Sequence, residues 1–187
     1  NYLKVHPMAI AAFDGDEPPE FSAQIERLCP QFASPRQFFI ETLSMGISTI
    51  AASVYPRPVI VRFSDFKTNE YANLIGGKAY EPVESNPMLG FRGASRYYDD
   101  AYRPGFELEC AALKRAREEL GFDNIILMIP FCRTLEEADR VLAVMAENGL
   151  RRGENGLQVY VMAEIPSNII LASDFADRFD GFSIGSN

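Results

Sequence analysis

The fold is decided by residues 159–168, which read VYVMAEIPSN. The first five are apolar, aromatic or β-branched, the composition of a buried strand, and Ile165-Pro166 then turns the chain into a helix. Glu164 stands at the end of that strand. Burying a carboxylate there is costly unless it pairs or holds a metal, and in parallel α/β folds chemistry takes place at this end of the sheet. The other segments are therefore expected to bring further groups to Glu164.

Strands and helices alternate along the chain on the amino-terminal and carboxyl-terminal sides of this stretch. Continuous apolar runs predict strands at 59–63, 125–130, 157–165 and 181–185. Helical spacing and capping residues predict helices at 20–29, 34–54, 106–120, 134–148 and 167–179, with Ser34, Thr134 and Ser167 as N-caps. This order predicts an α/β fold with a parallel sheet and right-handed crossovers. Periodicity alone leaves open whether the sheet closes into a barrel or is an open, doubly wound sheet.

The composition argues against several classes of protein. A formal net charge of −8 and the lack of any basic run argue against a nucleic-acid partner. No apolar run is long enough to span a membrane, and no signal-peptide pattern appears. The three widely spaced cysteines are typical of reduced thiols, which predicts a cytoplasmic protein. Because the chain starts at Asn1 and stops at Asn187 just after a strand, we expect it to be a piece of a longer polypeptide.

Two charged residues in apolar strands are candidates for a site. Arg62 lies in a strand otherwise made of Val, Ile and Phe. Its guanidinium must meet an anion, either a protein carboxylate such as that of Glu164 or a phosphate or carboxylate of a ligand. Glu164 is either a ligand of a hard metal ion, with substrate oxygens completing the set, or a hydrogen-bonded acid at a strand end. The residues alone leave both pairs of alternatives open.

Two glycine-containing segments are further candidates. Gly181–Asn187 places small residues just past a strand, where backbone amides either cradle an anion or form an ordinary turn. Residues 86–96 flank Arg92 and Arg96 with glycines, which either let the backbone approach a ligand or belong to a solvated loop. A short strand is predicted near Gly90–Gly93.

His6 and Cys132 are interpreted as structural residues. His6 has no acidic or serine partner nearby in sequence, so we expect a surface or capping residue. Cys132 follows a predicted strand and so could face the same end of the sheet as Glu164, but no activating group is evident. Cys29, Cys110 and Cys132 are all expected to be packing residues.

Six stretches along the chain carry a family resemblance. They read VIVRFSDFKTNEYANLIGG (59–77), NPMLGFRGASR (86–96), MIPFCRT (128–134), RRGENG (151–156), MAEIPSN (162–168) and FDGFSIGSN (179–187). Together they resemble the phosphoenolpyruvate-utilising barrel of the phosphoenolpyruvate synthase (pyruvate, water dikinase) family, which is similar to pyruvate phosphate dikinase and to enzyme I of the sugar phosphotransferase system. Ser85 stands where the family motif has an acid.

The resemblance implies a (β/α)8 TIM barrel of the phosphoenolpyruvate/pyruvate type, incomplete here, with the first and last strands missing. Residues 1–187 would form this partial barrel domain, and 1–58 would be a helical segment that leads into it. The implied reaction forms phosphoenolpyruvate from pyruvate with ATP and water, through a phosphohistidine on another domain. Such a reaction also implies pyruvate or phosphoenolpyruvate as ligand, and the ATP and phosphohistidine domains of the parent chain as partners. We further expect a homodimer.

The resemblance also assigns roles to individual residues. Arg62 matches an arginine that grips the phosphoryl group and the substrate, and Glu164 matches a Mg²⁺ ligand. The run Gly185, Ser186 and Asn187 matches a substrate-binding segment, and Arg92 matches a further arginine of the barrel mouth. The family's catalytic cysteine, phosphohistidine and second Mg²⁺ acid lie beyond these stretches, so we expect no catalytic residue in this chain and no activity from it alone.

Two other functions remain as alternatives. One is a different Mg²⁺-dependent enzyme with a phosphoenolpyruvate/pyruvate barrel, such as an aldolase-type lyase; the synthase-like wording of residues 64–77 argues against it. The other is a non-catalytic dimerisation module.

Overall fold

A computed structural model describes residues 3–15 and 19–185 and shows an α/β fold built on a parallel sheet. Its strands, β1 (Val59–Arg62), β2 (Ile125–Ile129), β3 (Val159–Ala163) and β4 (Gly181–Ile184), lie side by side in chain order. All neighbouring strands are parallel. Within the described residues the strand order never reverses, so these strands contain no switch point of a doubly wound sheet. The arrangement is compatible with part of an α/β barrel.

Helices precede the sheet and connect its strands. They are α1 (Pro7–Ala11), α2 (Pro19–Leu28), α3 (Pro35–Val54), α4 (Thr68–Ala72), α5 (Ala94–Tyr97), α6 (Arg103–Lys114), α7 (Leu135–Glu147), α8 (Pro166–Ile170) and α9 (Ala172–Arg178). A π-helical turn at Arg115–Glu119 prolongs α6. Within the ranges that the structure describes, no helix is long and apolar enough to cross a membrane.

The core lies on one face of the sheet. Alternation along β2 buries Ile125, Leu127 and Ile129, and the same alternation buries Val159 and Val161 on β3. Side chains of α3, α6, α7 and α9 join these residues in a single apolar cluster. A second cluster holds α1, α2 and the start of α3 together and reaches α6 through one leucine. The helical segment before β1 is thus packed against the same body as the sheet.

The opposite face of the sheet is more open. It carries Ile60, which is 45% exposed, together with the half-buried side chains of Met128, Tyr160 and Met162. Arg62 belongs to this face, because it stands two residues after Ile60 on the same strand. Any site at the ends of the strands therefore opens beside an apolar surface that the helices do not cover.

Several predicted element boundaries are wrong for identifiable reasons. The short strand expected near Gly90–Gly93 does not form, because Gly93 takes a φ of 62° and leads directly into α5. Ser167 is not an N-cap, since Pro166 occupies the first turn and the helix begins after Ile165. The backbone N–H groups of Glu164 and Ile165 instead donate to Oδ1 of Asn168, at 3.3 and 3.2 Å. The single helix expected over 167–179 is two helices, α8 and α9.

The N-caps expected at Ser34 and Thr134 are confirmed. Ser34 Oγ accepts from the N–H of Gln37 at 3.1 Å, and Thr134 Oγ1 accepts from the N–H of Glu137 at 3.1 Å. Each bond satisfies one backbone donor that the first helical turn leaves without an internal partner.

A buried charged cluster joins parts of the chain that are far apart in sequence. Arg96 makes a bidentate ion pair with Glu81, at 2.5 and 2.8 Å, and His6 Nε2 lies 2.8 Å from Glu81 Oε1. All three side chains are at most 1% exposed. The guanidinium of Arg96 also stacks on the rings of Tyr71 and Phe91, with its carbon 4.4 Å from each centroid.

This cluster corrects two sequence-based expectations. Arg96 is not a surface arginine of a solvated loop, and His6 is not at the surface. The capping alternative for His6 is confirmed, because its Nδ1 accepts from the N–H of Met8 at 3.1 Å at the start of α1. Burial works to raise the pKa of Glu81, but hydrogen bonds from Arg96 and His6 outweigh it and lower the pKa.

Glu81→Gln should destabilise the chain by about 3–5 kcal/mol, because Arg96 would remain buried without an opposite charge. Urea denaturation followed by circular dichroism measures the change. The folded-state pKa of Glu81 is lowered, so its stabilising contribution is present above the unfolded pKa and is lost as the pH falls. The difference between wild type and variant should therefore shrink below about pH 4.3.

Glu136→Gln is the matched control, since its ion pair with Arg140 is exposed and should change stability by less than about 1 kcal/mol. If the two substitutions lowered the free energy of unfolding equally, the buried pair of Arg96 and Glu81 would contribute no more to stability than an exposed pair.

Candidate functional site

The carboxyl ends of β1 and β3 bring the two predicted charged residues to one edge of the sheet. Arg62 closes β1 and is level with Met128 of β2, which is level with Tyr160 of β3. Glu164 follows β3 and, by the two-residue alternation of a strand, continues the face of Tyr160. Arg62 and Glu164 therefore share one face and one end of the parallel sheet.

Among the described residues, the carboxylate paired with Arg62 is that of Asp65, and the contact is long. The side chain of Arg62 is 47% exposed, and Nη1 lies 3.9 Å from Asp65 Oδ2 and 3.9 Å from Met162 Sδ. Among the described residues no oxygen atom accepts a hydrogen bond from this guanidinium, and the internal pair with Glu164 that the sequence left open is not formed. With nearly half of its side chain exposed, the Arg62 guanidinium is accessible to a ligand.

Glu164 is exposed, so its carboxylate can be solvated by water and needs no ion pair to offset a cost of burial. Its Oε1 accepts a hydrogen bond from the N–H of Phe131 at 2.6 Å. Phe131 has a φ of 49°, a conformation that is uncommon outside glycine and asparagine. This local strain, just beyond β2, aims the N–H at the carboxylate. In the part of the chain that the structure describes, Oε2 accepts no hydrogen bond.

Arg92 is held in place by Asp65, a residue that sequence reasoning missed. The two side chains form a bidentate pair, with Nε–Oδ1 at 2.8 Å and Nη2–Oδ2 at 2.9 Å, and Asp65 is 1% exposed. The hydrogen bonds to Asp65 raise the pKa of Arg92, and the charge of Glu164 contributes in the same direction. Arg92 is thus not in a solvated loop. The available signal in the sequence was the position of Asp65, three residues after Arg62, where the chain has just left β1.

Phe131 and Arg133 tie the loop that carries Arg92 to the end of β2. The guanidinium carbons of Arg92 and Arg133 lie 4.8 and 4.6 Å from the centroid of the Phe131 ring. Arg133 also donates to the carbonyl oxygens of Gly90, at 2.6 Å, and of Arg92, at 3.2 Å. Three cationic or polar segments after β1, β2 and β3 are therefore fixed relative to one another.

The predicted substrate-binding run after β4 is described only in part. Gly185 directly follows β4 and is exposed, and among the described residues beyond its chain neighbours no atom lies within 4 Å of the position that a Cβ would take. Ser186 and Asn187 lie outside the described residues.

A cavity of about 650 Å³ opens beside the edge of β1. Its wall includes side chains of α3 and, at one end, Arg62, Ser64, Asp65 and Glu109. Arg92 and Glu164 do not line it. Of the residues at the strand-end site, Arg62 and Asp65 also line this cavity, whereas Arg92 and Glu164 belong to the open strand-end site alone.

A metal ion would find one accessible carboxylate at this edge. The described ranges, 3–15 and 19–185, contain no group of three or more His, Cys, Asp and Glu side chains with the spacing of a metal site. Mg²⁺ is commonly held by only one or two carboxylates, with water and substrate oxygens as its other ligands. The exposed Glu164 carboxylate, with Oε2 available, fits one position of such a set.

The cysteines are packing residues, as expected. Cys29, Cys110 and Cys132 are free and buried. Burial raises the pKa of Cys132 to about 12, which leaves almost no thiolate near neutral pH.

Comparison with known proteins assigns the chain to a family. Residues 21–187 match the family model described as PEP-utilising enzyme, PEP-binding domain, and the chain belongs to this family. Among its relatives, the chain is 57% identical to phosphoenolpyruvate synthase of Synechocystis sp. over its whole length. It is 55% identical to phosphoenolpyruvate synthase of Neisseria meningitidis and 54% identical to that of Escherichia coli, each over 99% of the chain. In each case the chain spans 23% of the length of the relative.

Cys132 and Cys110 should resist alkylation by iodoacetamide at pH 8 while the protein is folded, because both thiols are buried and protonated. Peptide mapping by mass spectrometry, before and after denaturation in guanidinium, measures the labelling of each cysteine. Rapid stoichiometric labelling of Cys132 in the folded protein would show that it is accessible, contrary to its assignment as a packing residue.

Proposed function

We propose that this chain is the phosphoenolpyruvate-binding part of a phosphoenolpyruvate synthase, which converts pyruvate, ATP and water into phosphoenolpyruvate, AMP and phosphate. One observation carries the proposal: the accessible guanidinium of Arg62 and the accessible carboxylate of Glu164 share one face and one end of the sheet. The chain is also more than half identical to enzymes of that name along its length.

The chemistry of the reaction suits this pair of residues. Pyruvate enolate and a phosphoryl group in transfer both develop negative charge, so catalysis depends on positioning and on electrostatic stabilisation. Arg62 offers a planar fork of donors that matches a phosphate or carboxylate. Arg92, held by Asp65, adds a second fixed positive charge nearby. We assign substrate binding to Arg62, Arg92, Glu164 and the run from Gly185 to Asn187.

Glu164 is the residue that would hold Mg²⁺ in this site. When bound, the ion supplies Lewis-acid stabilisation of negative charge on substrate oxygens. The protein's own part is to keep the carboxylate pointed into the site, which the N–H of Phe131 does. Asn168 supports the same turn, because its side chain accepts from the backbone N–H of Glu164 and donates to the carbonyl of Cys132.

The proposed architecture is a (β/α)8 barrel of the phosphoenolpyruvate/pyruvate type, of which residues 1–187 are one incomplete domain. The unreversed order of β1 to β4 supports it, since consecutive strands of a barrel are neighbours. In such a barrel the open face with Ile60, Met128 and Tyr160 would line the interior. Residues 1–58 are proposed to lead into the barrel, and their packing against α6 supports a single body.

Further partners belong to the same proposal. The parent enzyme would carry an ATP-binding domain and a phosphohistidine domain that delivers the phosphoryl group, so the chain alone would be inactive. We also propose a cytoplasmic homodimer. These features rest on the family relationship and on the share of each relative, 23%, that the chain spans.

Pyruvate-dependent formation of AMP by the full-length protein, measured with Mg²⁺ by a coupled assay, tests the proposed activity. AMP and phosphoenolpyruvate in equal amounts are the expected products. Aldol cleavage of a hydroxy acid without ATP would point instead to a lyase with the same barrel.

Glu164→Gln in the full-length protein should leave the fold intact and lower kcat by about a hundredfold or more, because the amide keeps the bond to Phe131 but is a poor Mg²⁺ ligand. Steady-state kinetics and Mn²⁺ binding followed by electron paramagnetic resonance measure the two effects.

Glu154→Gln is the control, an exposed glutamate that pairs with Arg151. It should not change either measurement. Turnover and Mn²⁺ affinity like those of the wild type in Glu164→Gln would overturn the assigned role.

A further inference from the structure

Glu109 is a buried acid for which the proposed reaction has no evident use. It lies in α6 among apolar residues that include Leu108 and Leu113, and it is 6% exposed. Among the described residues no basic side chain forms an ion pair with it. Burial raises the pKa of Glu109, which reflects the cost of keeping a carboxylate in this place. An apolar residue of similar size at this position would stabilise the core more than a buried carboxylate does.

The hydrogen bonds of Glu109 converge on one residue of the loop after β1. Oε2 accepts from the backbone N–H of Ser64 at 3.1 Å, and Oε1 accepts from Ser64 Oγ. Tyr102 OH donates to Oε1 at 3.2 Å. The carboxylate therefore accepts one hydrogen bond from a tyrosine, and its other hydrogen bonds come from Ser64.

Two more tyrosines form hydrogen bonds with Ser64. Tyr97 OH donates to the carbonyl oxygen of Ser64 at 2.8 Å, and Tyr71 OH lies 2.7 Å from Ser64 Oγ. Tyr97 and Tyr102 are fully buried, and Tyr71 is 1% exposed. The N–H, the carbonyl and the hydroxyl of a single loop residue are thus all fixed by buried side chains.

Ser64 stands between the residues that the proposed site uses. Arg62 is two residues before it, and Asp65, which holds Arg92, is the next residue. A shift of Ser64 would displace Asp65 directly and Arg62 through Phe63, because these residues are joined along one short segment of backbone. The fixed loop therefore holds the backbone next to β1 from which Arg62 projects, and it holds Asp65, which pairs with Arg92.

We propose that Glu109 is a positioning residue that acts through Ser64 on Arg62 and Asp65, and so orients the anion-binding arginines for substrate. This inference rests on the proposed function, because the substrate anion is what the arginines are oriented to bind. The proposed action of Glu109 is on the loop and not on the ligand. The role explains why an acid without a basic partner is placed in the core, since its two oxygens accept from both the N–H and the hydroxyl of Ser64.

The test uses the full-length enzyme and two substitutions at one position. Glu109→Leu removes the acceptors but fills the space, and should lower kcat/KM for pyruvate by about tenfold to a hundredfold, as expected for a small misplacement of substrate-binding groups. Glu109→Gln keeps the shape and one acceptor oxygen, and should restore kcat/KM to within about threefold of wild type. ATP-dependent phosphorylation of the enzyme in the absence of pyruvate should be unchanged in both variants.

A double-mutant cycle with Arg62→Lys separates positioning from stability. If Glu109 acts through Arg62, then Glu109→Leu should cost far less in kcat/KM when Arg62→Lys is already present. A role in stability alone predicts that the two effects multiply. Cys110→Ala, a substitution of the buried neighbour of Glu109 on α6, removes no acceptor of Ser64 and should lower the melting temperature and leave kcat/KM unchanged.

If Glu109→Leu does not fold, Tyr97→Phe provides the same test, since it removes only the hydroxyl that donates to the Ser64 carbonyl. It should lower kcat/KM in the same direction. Two results would overturn the inference while the wild-type enzyme is active, and both leave the proposed function standing. One is that kcat/KM of folded Glu109→Leu and Tyr97→Phe lies within twofold of the wild-type value. The other is that the effects of Glu109→Leu and Arg62→Lys on kcat/KM multiply in the cycle. A wild-type protein without pyruvate-dependent AMP formation overturns the proposed function, and the inference with it.

Discussion

The parallel register of β1, β2 and β3 is the constraint on which the site depends. Because Arg62, Met128 and Tyr160 are level across the sheet, the residues that end β1 and β3 reach the same edge and face. A slip of one residue in either pairing would send one of the two charges into the helical layer, where the core would have to accommodate it. The apolar packing that fixes this register is therefore also what assembles the charged groups.

Buried polar contacts then fix the loops that leave the strands. Asp65 forms an ion pair with Arg92, and Arg133 donates to the loop before α5. The buried ion pair of Glu81 and Arg96 joins that loop to the part of the chain that precedes it. The first and third of these contacts lie within the connection between β1 and β2, and Arg133 ties that connection to the one that follows β2. Charged groups in low dielectric are costly if they lose a partner, so the same contacts that order the loops also penalise alternative arrangements.

The strands could be predicted from the sequence, and the polar clusters could not. β2 and β3 are local apolar runs whose length and composition suffice, and the Ser34 and Thr134 caps follow from adjacent residues. His6 and Glu81 are 75 residues apart, so no local pattern predicts their contact or the burial of Arg96. The cost of burial that drew attention to Glu164 does not apply, because the residue is exposed at the open face of the sheet. The family resemblance, not periodicity, supplied the roles of Arg62 and Glu164.

The central claim is that Arg62 and Glu164 serve one ligand at the carboxyl end of the sheet. A crystal structure of the full-length protein with Mg²⁺ and phosphoenolpyruvate tests it most directly. We predict that the ligand lies at this edge, with its phosphate or carboxylate within hydrogen-bonding distance of the Arg62 guanidinium and with the metal on the Glu164 carboxylate. A ligand bound elsewhere, with the side chains of Arg62 and Glu164 both free in solvent, would contradict the claim.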